Sequence, residues 1–169
     1  MNTFIIVAHT ADGIIAKQSN KDASSTTWTS NEDRKHFVSL TKNAGVIVMG
    51  LTTFNTIGKP LPKRLNVVYA PKGTPEIPGV ELTDKSPQEL LKDLEARGHT
   101  NVAICGGSTI YTMFMEANCV DKIYITIEPK LFGSGMTIFN KPLDINLSLL
   151  SVQNLSKDVL ALEYQVVKE

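Results

Sequence analysis

The sequence predicts an α/β fold with a mostly parallel central sheet, helices packed against it and an antiparallel hairpin at the C-terminus. Apolar, β-branched runs alternate with helical patterns along the chain, which is typical of α/β sheet proteins. Several runs are apolar along their whole length, as parallel strands covered on both faces are. A length of 169 residues, 42% of them hydrophobic, suits one buried core, so a single domain is expected over residues 1–169.

The individual elements follow from local signals. The expected strands are the apolar runs Thr3–His9, Gly45–Met49, Leu65–Tyr69, Asn101–Cys105 and Lys122–Ile127. The expected helices are Asn31–Lys42, Thr52–Thr56, Pro87–Arg97 and Ser108–Glu116. Ser30 is the expected N-cap of the first helix, and Gly98 ends the third. Two later runs, Leu147–Asn154 and Val159–Val167, predict the hairpin.

Composition and charge narrow the function classes. With 17 basic and 17 acidic residues the net charge is zero, so no nucleic-acid or membrane partner is expected. No apolar run approaches the roughly 20 residues of a membrane span, and the N-terminus has the pattern of a first core strand rather than a leader peptide. Cys105 and Cys119 lack metal-ligand spacing and are expected to be buried thiols in a reducing cytoplasm, with no metal site.

A polar stretch, Gln18–Thr27, joins the first strand to the first helix and ends at the single tryptophan, Trp28. Long polar loops inside compact domains are often functional, and a lid over a site is one reason they persist. A plain surface loop is the alternative if no site lies beside it.

Asp33 and Phe37 are four residues apart and therefore share one face of the first predicted helix. A carboxylate beside apolar surface loses solvation, so its pKa rises. Such a carboxylate can bind a cationic heterocycle by accepting hydrogen bonds from the N–H groups of the ring. The alternative is an exposed helix-start acid like Glu32. Thr126 places a hydroxyl in an apolar strand, where a buried position would require a partner such as a carboxylate and a solvent-facing one would not.

Two strand-to-helix junctions are candidate phosphate sites. The first runs through Gly50 into a helix whose N–H groups and the hydroxyls of Thr52 and Thr53 can receive phosphate. The second places a Gly-Gly pair before a helix, in the run Cys105, Gly106, Gly107, Ser108, Thr109, Ile110 and Tyr111. Arg64, which ends a Pro-rich loop, suits a carboxylate or a phosphate. Ordinary tight turns and a solvated arginine are the alternatives.

Taken in order and spacing, these blocks resemble the dihydrofolate reductase family. The resemblance runs from the first strand to Thr126, over Ala8 to Ala16, Trp28 with Asp33 and Phe37, Val48 to Gly50, Thr53-Phe54, Ile57 to Pro62, Arg64, Gly106-Gly107, Ile110-Tyr111 and Tyr124 to Thr126. It implies the three-layer fold of that family and a cytoplasmic enzyme that reduces 7,8-dihydrofolate to tetrahydrofolate with NADPH.

The resemblance also implies site roles. Asp33 would hold N3 and the 2-amino group of the pterin, Thr126 would be its hydroxyl partner, and Trp28 would close the lid loop and position water near N5. The expected substrate-binding residues are Ala8, Phe37, Ile57, Leu61 and Arg64, the last pairing with the glutamate tail. The expected cofactor-binding residues are Ala8, Ile15, Gly50, Thr52, Thr53 and the run from Cys105 to Tyr111.

Several positions depart from the family pattern. Leu51 stands where an arginine usually contacts the 2′-phosphate of the cofactor, and Ala70 and Pro71 stand where serines are usual. Lys72 or Lys59 could substitute, so NADPH is expected while NADH stays open. Arg34 replaces the apolar residue that usually follows the acid, and the lid is longer and more polar than usual.

The segment Glu128–Gly135 resembles a relative instead, the riboflavin-pathway reductase that acts on a phosphoribosylamino-pyrimidine. Against that alternative, Ile6 stands where the relative usually has a lysine, and the relative does not normally carry an acid at Asp33. A non-catalytic nucleotide- or pterin-binding protein is a further alternative, favoured if Asp33 is exposed or Arg34 fills the pocket. The glycine-rich segment also hints at a homodimer, so both a monomer and a homodimer stay open.

Overall fold

The computed structural model describes residues 1–17 and 25–168. The strands are β1 (Asn2–Thr10), β2 (Val46–Gly50), β3 (Leu65–Tyr69), β4 (Glu81–Thr83), β5 (Asn101–Ile104), β6 (Lys122–Glu128), β7 (Leu147–Asn154) and β8 (Leu160–Val166). The helices are α1 (Asn31–Ala44), α2 (Leu51–Ile57), α3 (Pro87–Ala96) and α4 (Ser108–Glu116), and a short 3-10 turn covers Ser25–Thr27.

These strands form one eight-stranded sheet in the order β4-β3-β2-β5-β1-β6-β8-β7. The first six strands of that order pair in parallel, whereas β8 is antiparallel to both β6 and β7. The predicted α/β class, parallel centre and C-terminal hairpin are therefore confirmed. β4 was not predicted, because three half-buried residues are too few to show a periodic pattern.

The predicted boundaries of several elements were wrong by one or two residues. Gly45, expected to begin β2, ends α1 instead: its φ of 76° is left-handed, and its N–H donates to Thr41 O. α2 begins at Leu51 rather than Thr52, and α3 ends before Arg97, which is its C-cap. β8 begins at Leu160 rather than Val159.

The core lies on both faces of the central strands. Along β1 the side chains alternate: Ile5 and Val7 pack into one apolar cluster, whereas Phe4 and Ile6 pack into the other. All four residues from Val46 to Met49 on β2 are 0% exposed.

In the described part of the chain, no helix has both the length and the apolar character that crossing a bilayer requires.

This topology positions the candidate site. The carboxyl ends of parallel strands meet at one edge of the sheet, and ligands of open α/β sheets bind outside that edge where neighbouring connections diverge. The chain leaves β1 for β2 on one side, and it leaves β5 for β6 on the other side of β1. The candidate site is therefore expected in the crevice that this rule places outside the ends of β1, β2, β5 and β6.

Candidate active site

Asp33 lies in the first turn of α1, above the carboxyl ends of β1 and β6. Ser30 fixes this turn, because its Oγ accepts a hydrogen bond from Asp33 N at 3.1 Å. The hydroxyls of Thr126 and Thr29 hydrogen-bond the Asp33 carboxylate. Thr126 is buried and pairs with Ala8 in the register of β1 and β6. The structure thus brings together Asp33, Thr126 and Ala8, three of the residues singled out in the sequence.

Burial raises the pKa of Asp33 above its ordinary value. The Thr126 hydroxyl opposes this rise by donating to the ionised form, and the negative charge of Glu128 adds to it. Asp33 is half-buried rather than exposed. It therefore has the environment that the Asp33–Phe37 spacing predicts and not that of a free helix-start acid.

Arg34, the residue after this carboxylate, is held at the surface by backbone carbonyl groups. Its Nη2 donates to the carbonyl oxygens of Thr26 at 2.9 Å and Thr29 at 3.3 Å, and its side chain is exposed. Adjacent helical residues face different directions, so a charged residue after Asp33 is accommodated at the surface. The two observations that would have favoured a non-catalytic binding protein, an exposed Asp33 and an Arg34 that fills the pocket, are both absent.

An apolar wall lies on the side of α1 that carries Phe37. Phe37, Ile57 and Leu61 pack against the same buried cluster, which Phe4 and Met49 help to form. The loop that carries Leu61 is held by Asn66, a 2% exposed residue of β3 that no sequence pattern indicated. Its side chain bonds Leu61 N at 2.8 Å and Leu61 O at 2.9 Å.

Arg64 follows this wall at the end of the same loop. Its Nη1 donates to Thr41 Oγ1 at 2.6 Å, and its Nε donates to Pro62 O at 3.1 Å. The side chain is half-buried, and burial lowers the pKa of its guanidinium, which nevertheless stays charged because an arginine does not lose its proton in a protein. Arg64 is therefore an anchored cation beside the apolar wall, with donors left for an acidic group.

The two glycine junctions meet at the carboxyl ends of β2 and β5. Gly50 N donates to Gly106 O at 2.9 Å, and a Cβ added to Gly106 would lie 3.3 Å from Thr53 Cγ2. Neither Gly50 nor Gly107, the N-caps of α2 and α4, supplies a side-chain cap. Backbone N–H groups of both helix starts are thus free of a capping side chain, beside a glycine, Gly106, whose φ of 131° disfavours any side chain.

The remaining side chains of the second junction are mostly engaged within the protein. Tyr111 Oη donates to Ile6 O at 2.8 Å, and burial raises the pKa of this phenol, so the donor stays protonated. Ser108 Oγ donates to Thr137 O at 2.8 Å, and Thr109 Oγ1 accepts from Asn140 Nδ2 at 3.1 Å. Cys105 is a free thiol whose pKa is raised by burial. Ser108 and Thr109 therefore face residues 137–140, while their backbone remains at the junction.

Ile15 and Trp28 both contact the segment that follows β6. Ile15 packs against the core, and its N–H donates to Met136 O at 2.8 Å. The Trp28 ring contacts Phe132 edge to face, with centroids 5.2 Å apart, and Lys17 Nζ lies 4.9 Å from the same Phe132 ring. The proposed lid lies mainly in residues 18–24, outside the described residues.

The structure also shows where the residues lie that depart from the dihydrofolate reductase pattern. Leu51 packs into the Phe4 cluster and presents no charge. Lys72 is exposed beyond the end of β3, and its Nζ lies 3.5 Å from Asp84 Oδ2. Thr52 is exposed on α2. Within residues 1–17 and 25–168, His, Cys, Asp and Glu side chains do not gather in threes as metal ligands would.

Comparisons of the sequence with known proteins identify one family. A family model described as dihydrofolate reductase matches residues 2–159. A dihydrofolate reductase of Staphylococcus aureus (strain Mu50 / ATCC 700699) is 33% identical over 135 residues, which cover 79% of this chain and 76% of that protein. A dihydrofolate reductase type 3 of Salmonella typhimurium is 34% identical over 109 residues, covering 63% and 62% of the two chains.

Solved structures share the fold. A riboflavin biosynthesis protein from Shewanella sp. PV-4 superposes with a TM-score of 0.80 at 20% identity, covering 99% of this chain and 100% of that one. Dihydrofolate reductase from Enterococcus faecalis, in a complex with NADP(H), gives a TM-score of 0.73 at 22% identity and covers 99% and 97%. At these identities the likeness concerns the fold alone.

Proposed function

The chain belongs to the dihydrofolate reductase family, and from this premise we propose that it reduces 7,8-dihydrofolate to tetrahydrofolate by hydride transfer from NADPH. It is an oxidoreductase of the dihydrofolate reductase type. The observation that carries the proposal is the half-buried Asp33 carboxylate with the buried Thr126 hydroxyl beside it, next to an apolar wall at the carboxyl edge of the sheet. An acid in this position can hold a flat, nitrogen-rich ring by its N–H groups while apolar side chains cover its faces.

In the proposed reaction the Asp33 carboxylate accepts hydrogen bonds from N3–H and the 2-amino group of the pterin. Thr126 donates to the same carboxylate and keeps it oriented. A carboxylate there stabilises the protonated ring, which is the form that accepts hydride at C6 once N5 carries its proton. Trp28, at the end of the lid loop, helps to exclude bulk water and to position the water that delivers this proton.

The other proposed substrate contacts come from the apolar wall and from Arg64 beside it. Ala8, Phe37, Ile57 and Leu61 would cover the pteridine and aminobenzoyl rings. Arg64 would pair with a carboxylate of the glutamate tail, because it is anchored by Thr41 and keeps free donors.

The two glycine junctions fit a dinucleotide cofactor. A Cβ at Gly106 would crowd Thr53, so this backbone is open to close approach only because it is glycine. N–H groups at the starts of α2 and α4, with Gly50, Thr52, Thr53 and the run from Cys105 to Tyr111, would hold the pyrophosphate and ribose groups. Ile15, Ala8 and Tyr111 would lie beside the nicotinamide. The bound cofactor supplies the hydride, and these residues orient it against the pterin.

We propose NADPH as the cofactor, with a smaller preference over NADH than an arginine at position 51 would give. Leu51 is apolar and turned into the core cluster, so it cannot contact a 2′-phosphate. Lys72 and Lys59 are the candidate cations, and Asp84 already partly offsets the charge of Lys72. We place the reaction in the cytoplasm, since Cys105 and Cys119 are free thiols suited to a reducing compartment.

A second candidate substrate is the phosphoribosylamino-pyrimidine of riboflavin synthesis. It is favoured by the glycine-rich segment after β6, where Gly135 packs so closely that a Cβ would overlap the Ala16 carbonyl oxygen. Asp33 and Thr126 favour folate instead, because a carboxylate accepts hydrogen bonds from both N3–H and the 2-amino group of a pterin, whereas a uracil ring carries a carbonyl oxygen in place of that amino group.

The test follows oxidation of NADPH and of NADH by the purified protein, with dihydrofolate and with the pyrimidine in parallel reactions. We expect turnover of dihydrofolate, faster with NADPH than with NADH. Turnover of the pyrimidine without turnover of dihydrofolate would replace the folate function by the second candidate. Equal rates with the two cofactors would contradict the NADPH preference alone.

A further inference from the structure

A second carboxylate, Glu128, lies beside the proposed catalytic acid. It is the last residue of β6 and is only 2% exposed. Its Oε1 accepts hydrogen bonds from Ser30 N at 2.8 Å and from Ser30 Oγ at 2.7 Å. Among the described residues, no lysine, arginine or histidine forms an ion pair with it. A buried carboxylate without a cation costs stability, so its presence needs a reason other than packing.

Ser30 connects Glu128 to Asp33. The Ser30 hydroxyl donates to Glu128 and at the same time accepts from Asp33 N. Three residues, separated by as much as 98 positions in the chain, therefore form one hydrogen-bonded chain across β6 and α1. Since Asp33 reaches the crevice from the first turn of α1, whatever holds Ser30 also sets the position of the Asp33 carboxylate.

Glu128 also acts on Asp33 through its charge. The negative charge of Glu128 raises the pKa of Asp33, in addition to the effect of burial. Other groups act from neighbouring elements: Thr29 and Thr126 hydroxyls and the Arg34 charge lower the pKa of Asp33. Tyr111 on α4 stays protonated because of its burial. Of the groups that pKa-shifting contacts join to Asp33, Glu128 is therefore the one whose charge raises the pKa of Asp33 further, in the same direction as burial.

We propose that Glu128 is a positioning residue for the reduction, which holds Ser30 and the first turn of α1 and places a second negative charge beside the pterin-binding carboxylate. This inference rests on the proposed function. The second charge favours the protonated pterin over the neutral one, so it extends the pH range in which N5 can carry its proton. Glu128 need not contact the substrate to have this effect.

The test is the substitution Glu128→Gln, which keeps an accepting oxygen for Ser30 but removes the charge. We expect a stable fold, an unchanged KM for dihydrofolate and a pH profile of kcat that moves to lower pH. A fall of roughly half to one unit in the apparent pKa lowers kcat by about three- to tenfold on the alkaline side of the profile. Glu116→Gln, at the exposed end of α4, changes the total charge equally and should leave the profile in place.

A second variant separates position from charge. Ser30→Ala keeps the Glu128 carboxylate but breaks its link to Asp33. We expect a lower kcat and a higher KM than in the wild type, because the first turn of α1 is no longer fixed. Glu128→Asp should restore the wild-type pH profile in part, since it restores the charge. A merely structural Glu128 would give the same defect in all three variants and no movement of the profile.

A measurement without substrate separates this inference from the proposed function. The pKa of Asp33 can be followed by NMR titration of ¹³C-labelled carboxyl groups in the free protein, assigned by comparison with Asp33→Asn. We expect a lower pKa of Asp33 in Glu128→Gln than in the wild type. An unchanged pKa together with an unchanged kcat profile would overturn the role of Glu128. A wild-type protein inactive on dihydrofolate would overturn the proposed function, while the titration would still decide the coupling of the two carboxylates.

Discussion

At the scale of single residues, the protein places ionisable groups where burial changes their properties. Asp33 is half-buried, hydrogen-bonded by two hydroxyls and close to a second carboxylate. The folded protein therefore holds a negative charge in a position that disfavours it. Such a group is expected to serve binding or chemistry at the expense of stability.

Asp33→Asn should therefore leave the protein at least as stable as the wild type at neutral pH. The pKa of Asp33 is raised above its ordinary value of 3.8 in the folded state. A raised carboxyl pKa stabilises the fold below the ordinary value, and this contribution is lost as the pH rises through the folded-state value. Thermal unfolding at neutral pH and below the ordinary value checks the prediction. A clearly lower Tm of Asp33→Asn at neutral pH, relative to Glu32→Gln, would show that the ionised carboxylate stabilises the fold.

Arg64 gives a prediction about substrate binding. In Arg64→Leu the KM for dihydrofolate should rise by about tenfold or more, because a charge-assisted hydrogen bond to the tail carboxylate is lost. A dihydropterin that lacks the glutamate tail should react as well as with the wild type. The control is Lys63→Leu, which removes the exposed neighbouring cation. An equal loss for both substrates in Arg64→Leu would count against a contact with the tail.

At the scale of elements, loops that close on the ends of strands shape the crevice. Asp12 accepts hydrogen bonds from Gly133 N at 2.6 Å and Phe132 N at 3.2 Å, and so ties the end of β1 to the segment after β6. Gly135 packs against Ile14 and Ala16 in the same region. Phe132 then lies against Trp28. The rim of the crevice near the lid is therefore built from residues far apart in the chain.

Gly135→Ala should disturb this rim more than Gly133→Ala does. At Gly135, with φ of 152°, a Cβ would overlap the Ala16 carbonyl oxygen, so we expect a loss of about 2–5 kcal/mol in unfolding free energy. At Gly133, with φ of 74° and open space around a Cβ, the loss should be about 1–2 kcal/mol. Urea unfolding of both variants gives the comparison. Equal losses would mean that the segment moves freely to accept the added methyl group.

At the scale of the whole molecule, the sequence predicted those features that depend on local pattern or on the common edge of a parallel sheet. Asp33 and Thr126 meet because α1 begins, and β6 ends, at the same edge. The contact of Ser30 with Glu128 was not predicted, since it depends on how α1 docks on β6 and leaves no periodic signal. Asn66 was missed for a similar reason: a single polar residue in a strand does not reveal which loop it holds.

The reduction of dihydrofolate at Asp33 is tested most directly by comparing wild type and Asp33→Asn in one assay. The measurement is the rate of NADPH oxidation with dihydrofolate at neutral pH, for two proteins of matched fold and concentration. We expect turnover by the wild type and a kcat/KM at least about 100-fold lower in Asp33→Asn, because the protonated pterin loses its charged partner. Activity of Asp33→Asn close to that of the wild type would contradict the assignment of Asp33 as the catalytic carboxylate.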